Sequence, residues 1–306
     1  MTKPRFLLSV MNEDNDFQIE QVRTARQAAS KTGVELEIIC ARDDGILQSQ
    51  QLLDKIQSPV NLRPNAILLE PAGSTALPKV ARAAAAAGIG WALLSRKTEY
   101  LDELRSTFHV PAFVVTPDHE KIGHIQGRQL AALLPGGGLV LYIQGPSHSL
   151  AAKQRYTGLL ETKPENVQLR ILRAHWTESS SHKAVTSWLC LSTSRAAEFR
   201  AVCAQDDSMA LGARKAFEQC TSELHGSWLK IPFLGIDGMP NTGQAWVRDG
   251  LLTATVFSPL TAGIAIELMA RSMERGTMPP VCTVTEPKSI PTIEELARKA
   301  RVASAP

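Results

Sequence analysis

No run of five like charges occurs in this 306-residue sequence, and 33 Lys and Arg against 30 Asp and Glu leave a net charge of only +3. A basic stripe of the kind that grips nucleic acid or an anionic membrane is therefore excluded. Cysteine is sparse: Cys40, Cys190, Cys203, Cys220 and Cys282 are odd in number, scattered and never spaced C-x-x-C. Neither a disulfide framework nor a zinc knuckle is expected, and these side chains read as small apolar filling. Nucleotide fingerprints are missing as well. There is no G-x-G-x-x-G, and Gly136 to Gly138 is followed by Leu139 and Val140, with no Lys-Ser/Thr to hold a phosphate, so this segment reads as a turn before a strand. GPSHS (Gly145 to Ser149) lacks the last glycine of a nucleophile elbow and reads as a loop feeding a helix N-cap. HEKIGH (His119 to His124) has its histidines five apart, about 140° around a helix, so they cannot share a ligand face. No metal site, no cofactor and no catalytic residue is expected.

The N-terminus, MTKPRFLLSVMNEDND, carries only a short apolar run before turning acidic, with no small-residue cleavage site. It reads as a first strand and not as a signal peptide. The expectation is a cytoplasmic protein if the sequence is complete, and a periplasmic one if a leader has been removed.

At this length, with 44% hydrophobic and 21% charged residues, two globular domains are the default. Short apolar β-rich runs alternate with helix-period segments, the signature of parallel sheets built from βαβ units. A first series has strands at Phe6 to Met11, Leu36 to Cys40, Ala66 to Leu69 and Gly90 to Leu94, with an Ala-rich helix starting at the cap-like Ser74. Gly33 and Gly88 stand where helix ends need a left-handed residue. A second series, beginning near Phe113, has strands at Leu139 to Ile143, Leu169 to Leu172, Ala201 to Cys203, Pro232 to Gly235 and Leu252 to Phe257. Helices start near Pro117, Ser147, Thr177, Asp206 and Pro240, another surrounds Ile264, and a terminal one follows Thr292. The fold class is α/β, two doubly wound parallel-sheet lobes joined by a multi-segment hinge.

Ligands of open α/β sheets sit beyond the carboxyl ends of the strands. What gathers there is arginine, carboxylate and isolated aromatic residues without a nucleophile or base. Planar bidentate groups pair with adjacent hydroxyls while an aromatic face covers the C–H side of a ring, so this mixture suits a sugar. Asp207 reads as a helix N-cap, and Trp188 and Trp246 as core.

Four stretches resemble the ribose-binding branch of the periplasmic-binding-protein family, which it shares with the effector domains of lactose-repressor-type regulators. AQDDSMALGARKAF (Ala204 to Phe217) is similar to the family's A-Q-N-D-x-M-A-x-G segment. FLGIDGMPNTGQAWVRDGLLTATV (Phe233 to Val256) is similar to its G-F-D-G-x-P hinge. TPDHEKIGHIQGRQLA (Thr116 to Ala131) and SHSLAAKQRYTGLL (Ser147 to Leu160) are similar to two helices of its second lobe. The resemblance implies crossed lobes, 1–106 with 258–280 and 107–257 with 281–306. It implies ring-stacking roles for Phe17 and Trp176, ligand arginines at Arg96 and Arg155, and ligand carboxylates at Asp206 and Asp237. Departures from the pattern stand at Ser95 for an Asp, Gln18 for a second aromatic, Ile236 for a frequent aromatic and Ser258 for a Gln. One carboxylate is lost at Ser95 and one gained at Asp206, so the set keeps two charges of each sign and a neutral ligand is expected.

The implied function is non-catalytic binding of a small sugar or polyol in the cleft between two lobes, by the monomeric solute-binding component of a sugar ABC transporter with a membrane permease as partner. The alternative is a ligand sensor that signals to a partner protein without transport. A DNA-binding repressor is not expected, because such proteins carry a helix-turn-helix ahead of this fold and here the first strand begins at Phe6.

Overall fold

The computed structural model of the protein describes residues 3–13, 16–73, 75–94, 98–191, 198–220 and 225–303. The first run of elements is β1 (Arg5–Val10), α1 (Asp16–Thr32), β2 (Glu35–Cys40), α2 (Gly45–Gln57), β3 (Ala66–Leu69), α3 (Pro78–Ala86), β4 (Gly90–Leu93), α4 (Tyr100–Phe108) and β5 (Ala112–Pro117). The next is α5 (His119–Leu133), β6 (Gly138–Gln144), α6 (Leu150–Thr162), β7 (Val167–Arg173), α7 (Glu178–Leu189), β8 (Phe199–Ala204), α8 (Asp207–Glu218), α9 (His225–Trp228), β9 (Phe233–Asp237), α10 (Gly243–Arg248) and β10 (Ala254–Phe257). The chain closes with α11 (Ala262–Arg275), β11 (Cys282–Thr285), β12 (Lys288–Ile290) and α12 (Ile293–Ala303).

These elements form two compact units, Met1–Pro117 with Leu260–Thr285 and Asp118–Pro259 with Glu286–Pro306. Each holds one six-stranded sheet, ordered β11-β5-β4-β3-β1-β2 in the first unit and β12-β10-β9-β8-β6-β7 in the second. The first sheet is parallel throughout, and in the second only β12 runs antiparallel, against β10. The α/β fold class read from the alternation is thus the one observed. Strand alternation explains why both faces of each sheet are covered. In the first unit Leu7, Ile67, Leu69 and Trp91 pack with α2, α3 and α4, while Phe6, Leu8, Val10 and Leu68 pack with α1 and α11.

The strand order reverses between β1 and β3 in one sheet and between β6 and β8 in the other. Those reversals are the topological switch points at whose carboxyl ends such sheets receive ligands.

Several readings need correction. Phe113 does not open the second series: β5 pairs with β4 and β11 and completes the first sheet, since Trp91 aligns with Ala112 and Cys282 with Val114. The Pro-rich passage after α11 supplies β11 to one sheet and β12 to the other, edge strands of four and three residues too short to register as periodic patterns. Helix α4 went unread between two strong strands. The Ala-rich helix begins at Pro78, where proline's fixed φ suits the first helical position, and Ser74 lies outside the described residues. Gly33 and Gly88 do adopt φ of +71° and +75° after α1 and α3.

Candidate ligand site at the strand ends

In the second unit the site is built from how α5 meets α6. A Cβ on Gly123 would lie 2.1 Å from the Arg155 carbonyl oxygen, and one on Gly158 would lie 2.1 Å from that of Glu120. Only glycine allows the two helix backbones to touch, and that contact fixes the turn of α6 bearing Arg155. Ser149 caps α6 by accepting the Ala152 N–H, as the GPSHS loop led one to expect.

Arg155 is buried at 6% exposure. Its NH1 donates to the Gln205 carbonyl oxygen at 2.5 Å, its NH2 lies 3.8 Å from Asp237 Oδ1, and its guanidinium sits 5.6 Å from the Trp176 ring centroid. That stack is a cation–π contact. The 3.8 Å separation exceeds a direct charge-assisted hydrogen bond of about 2.7–2.9 Å, so the two groups do not use up each other's hydrogen-bonding capacity. Arg155 Nε and Ser258 Oγ are buried donors with no hydrogen-bond partner among the described residues. Ser258 is placed by its own N–H, which donates to the Asp237 carbonyl oxygen at 3.0 Å.

Trp176 (φ 60°) and Asp237 (φ 104°) are the non-glycine residues of the second unit with positive φ among the described residues. For bulky or branched side chains that conformation costs of order 1–3 kcal/mol, and such strain clusters at functional positions. The half-buried Trp176 ring lies against Gly145, where a Cβ would come within 2.3 Å of it.

The helix cap read for Asp207 falls instead to its neighbour Asp206. Asp206 is the N-cap of α8, accepting the Met209 N–H. Asp207 is instead a buried anchor that accepts the Gly238 N–H at 2.7 Å and the Thr255 hydroxyl at 2.6 Å. Its carboxyl fills the space where Cβ atoms on Gly235 and Gly243 would sit, 2.1 Å and 1.9 Å from its oxygens. Burial pushes Asp207 up to about 8, against the lowering effect of its two hydrogen bonds. Ile236 is core, packed with Ile122, Ile125 and Val256. Trp188 is buried and Trp246 packs against the same core cluster.

In the first unit Gln18 Nε2 donates to Glu70 Oε2 at 2.7 Å, joining the carboxyl ends of β1 and β3. Gln18 is 5% exposed and its Oε1 has no hydrogen-bond partner among the described residues. Phe17 is half-buried beside it at the start of α1. Ser95 and Arg96 lie outside the described residues. Within the second unit, then, Arg155, Trp176, Asp206, Asp237 and Ser258 gather at strand ends. Glu70, at a strand end, contacts Gln18, and Gln205, inside the AQDDSM stretch, contacts Arg155, yet neither was given a role, because a Glu or Gln after a strand reads as solvent-facing unless its partners are known.

The group among the described residues able to hold a metal ion is Glu120, His124 and Glu161, whose ligand atoms lie within 4.8 Å of one another. His124 Nε2 stands 2.6 Å from Glu161 Oε2 as a surface ion pair. His119 is buried and not part of the group.

A family model described as a periplasmic binding protein domain matches residues 6–276. The ribose import binding protein of Bacillus subtilis is 25% identical over 249 residues, covering 81% of this chain and 74% of that protein. A Rhizobium meliloti relative is 28% identical over 204 residues, which are 64% of this chain and 62% of that protein. Among solved structures, a periplasmic solute-binding protein of an ABC transporter from Actinobacillus succinogenes with bound D-allose is 22% identical, with a TM-score of 0.79, covering 97% of this chain and all of that one.

Proposed function

The chain belongs to the periplasmic binding protein family, and from that premise we propose that it binds a small sugar or polyol without turnover, as the solute-binding component of a sugar ABC transporter. The reading places the protein in the periplasm with a membrane permease as partner. The observation that carries it is the pairing of strain with unmet hydrogen bonding in the second unit. Trp176 and Asp237 hold positive φ on either side of Arg155, whose buried Nε–H has no protein acceptor among the described residues. A buried donor left without a partner costs about 1–3 kcal/mol, which a ligand hydroxyl would offset. The guanidinium pairs with adjacent hydroxyls, the Asp237 carboxylate accepts from one, and the indole face covers ring C–H groups. The ribose and allose proteins among its relatives support the substrate class.

A thermal-shift screen over D-ribose, D-allose, other pentoses and hexoses, sugar acids and myo-inositol tests it. A ligand at 100 times its Kd adds about 2.7 kcal/mol to native stability, so at least one member should raise the melting temperature. No shift with any of them sinks the sugar reading, and retention of binding by Arg155→Met removes this site from it.

A further inference from the structure

We propose that Gln205 is a positioning residue for this ligand site, holding the Arg155 guanidinium and the seat of the Trp176 ring in the arrangement that a sugar meets; the proposal rests on the sugar-binding reading above. Gln205 directly follows β8 and has no exposed surface. Its side chain meets three partners: Oε1 accepts the Gly145 N–H at 2.9 Å, and Nε2 donates to the Tyr142 hydroxyl at 2.7 Å and to the Ala152 carbonyl at 2.8 Å. Its backbone N–H donates to the Ile143 carbonyl at 3.0 Å and its own carbonyl accepts from Arg155.

Three of these contacts act on ligand-site groups. Gly145 is the surface against which the Trp176 ring lies. Ala152 precedes Arg155 by one turn of α6, so a bond to its carbonyl fixes where that turn begins. The carbonyl of Gln205 orients the guanidinium directly. One amide therefore ties the ends of β6 and β8 across the switch point and sets both halves of the Arg155–Trp176 stack. A primary amide is required, because it must accept at one end and donate at the other. A carboxylate would set an acceptor against the Ala152 carbonyl, and a thioether would leave the Gly145 N–H unmet.

The first unit repeats the device. Gln48, also fully buried, donates to Ser9 Oγ and to the Glu70 carbonyl at 2.9 Å each and accepts the Ala72 N–H at 2.9 Å. It too links the ends of two neighbouring strands, beside the glutamate that holds Gln18.

Calorimetric titration separates positioning from mere support, because stoichiometry counts folded molecules while Kd reports the geometry they present. Wild type, Gln205→Met, Tyr142→Phe and Arg155→Met are titrated with D-ribose, D-allose and myo-inositol, and melting temperatures are taken in parallel. Gln205→Met should weaken the tightest of these sugars by about fivefold or more at unchanged stoichiometry. Tyr142→Phe, which removes one partner and leaves the Gly145 and Ala152 bonds, should lower the melting temperature with Kd changed by less than that. If Gln205→Met does not fold, Gln205→Asn carries the same test, its shorter amide being unable to span the partners. A Kd within about fivefold of wild type, with Arg155→Met abolishing binding, overturns the positioning role while leaving the site intact. Should none of the three bind, the best member of the thermal-shift screen takes their place; unaltered binding by Arg155→Met, or no binding of any member of that screen, is the failure of the underlying reading, and the proposal falls with it.

Discussion

The two units repeat one strand order, yet they treat charge at their strand ends differently. In the first, the fully buried polar groups there among the described residues are amides and hydroxyls, with the half-buried Glu70 bonded to Gln18. Gln21 accepts the N–H groups of Thr261 and Ala262 and donates to the Thr261 hydroxyl, while Gln48 joins Ser9, Glu70 and Ala72. Its one buried carboxylate side chain among the described residues, Glu20, pairs with the neighbouring Arg23 on α1. In the second unit Arg155, Asp206 and Asp207 are all buried, beside the half-buried Asp237. Among the described residues, then, the first unit's switch point holds amides, hydroxyls and the half-buried Glu70, with no fully buried ion. Burying ions costs several kcal/mol each unless geometry repays it; Asp206 is repaid by capping α8 and Asp207 by its bonds to Gly238 and Thr255, which leaves Arg155 and Asp237, 3.8 Å apart, as the charges that the sheet itself does not use.

The largest expected effect attaches to Asp207. Burial is the main cause of its raised pKa, with Asp206 adding to it and Arg155, Thr255 and Gly238 opposing. The folded value is about 8, against roughly 3.9 for an unfolded Asp. Between those values the folded protein keeps a proton that the unfolded chain has lost, so stability is full below about pH 4, falls as pH rises, and levels off above about 8. The loss is at most about 6 kcal/mol across that window. Asp207→Asn should flatten this slope in urea denaturation at pH 5, 7 and 9. Hydrogen exchange should locate the slope in β8, β9 and β10 and not in β1 or β3. An equal slope in the variant, or one shared by the first unit, breaks the comparison.

Next comes the glycine crossing. Gly123→Ala forces a Cβ to 2.1 Å from a backbone oxygen, an overpacking cost of about 1–3 kcal/mol. Because the clashing atom belongs to Arg155, sugar affinity should fall together with the melting temperature. Gly45→Ala in the first unit meets only Gly73 backbone, its Cα at 3.2 Å and its nitrogen at 3.3 Å, and should change both far less. Affinity untouched by Gly123→Ala means that the α5–α6 contact does not set the arginine.

What the sequence made legible follows from periodicity and from motif. The strands at Ala66–Leu69 and Phe233–Asp237 are apolar enough to be seen, and Arg155, Trp176 and Asp237 stand on motif positions. The edge strands β11 and β12 were illegible because four and three residues carry no period. The helix cap read for Asp207 falls to Asp206 because capping depends on which residue leaves helical φ and ψ first. Here Asp206 is extended at φ −150° and ψ 167°, while Asp207 is already helical and points inward to Thr255. Gln205 was invisible for a related reason: its partners lie 53 to 63 residues away.

The smallest effect is expected for charge in the first unit, where pairs lie at the surface. Arg82 binds Glu103 bidentately from α3 to α4, Nε to Oε1 at 2.8 Å and NH2 to Oε2 at 2.7 Å, with side chains 45% and 42% exposed. Its hydrogen bond holds the Glu103 carboxyl below the usual range, so any contribution to stability is present above the unfolded carboxylate pKa and disappears as pH falls through the folded one. Exposed pairs pay side-chain entropy and are screened by salt. Arg82→Met should therefore leave the melting temperature at neutral pH and 0.15 M salt (a Debye length of about 8 Å) within experimental error, and leave sugar affinity unchanged. Repeating the measurement at low salt magnifies whatever the pair supplies. A destabilisation as large as that of Arg155→Met would mean that the first unit also depends on charge, and the contrast between amide-built and ion-built strand ends would no longer mark out the unit that recognises the ligand.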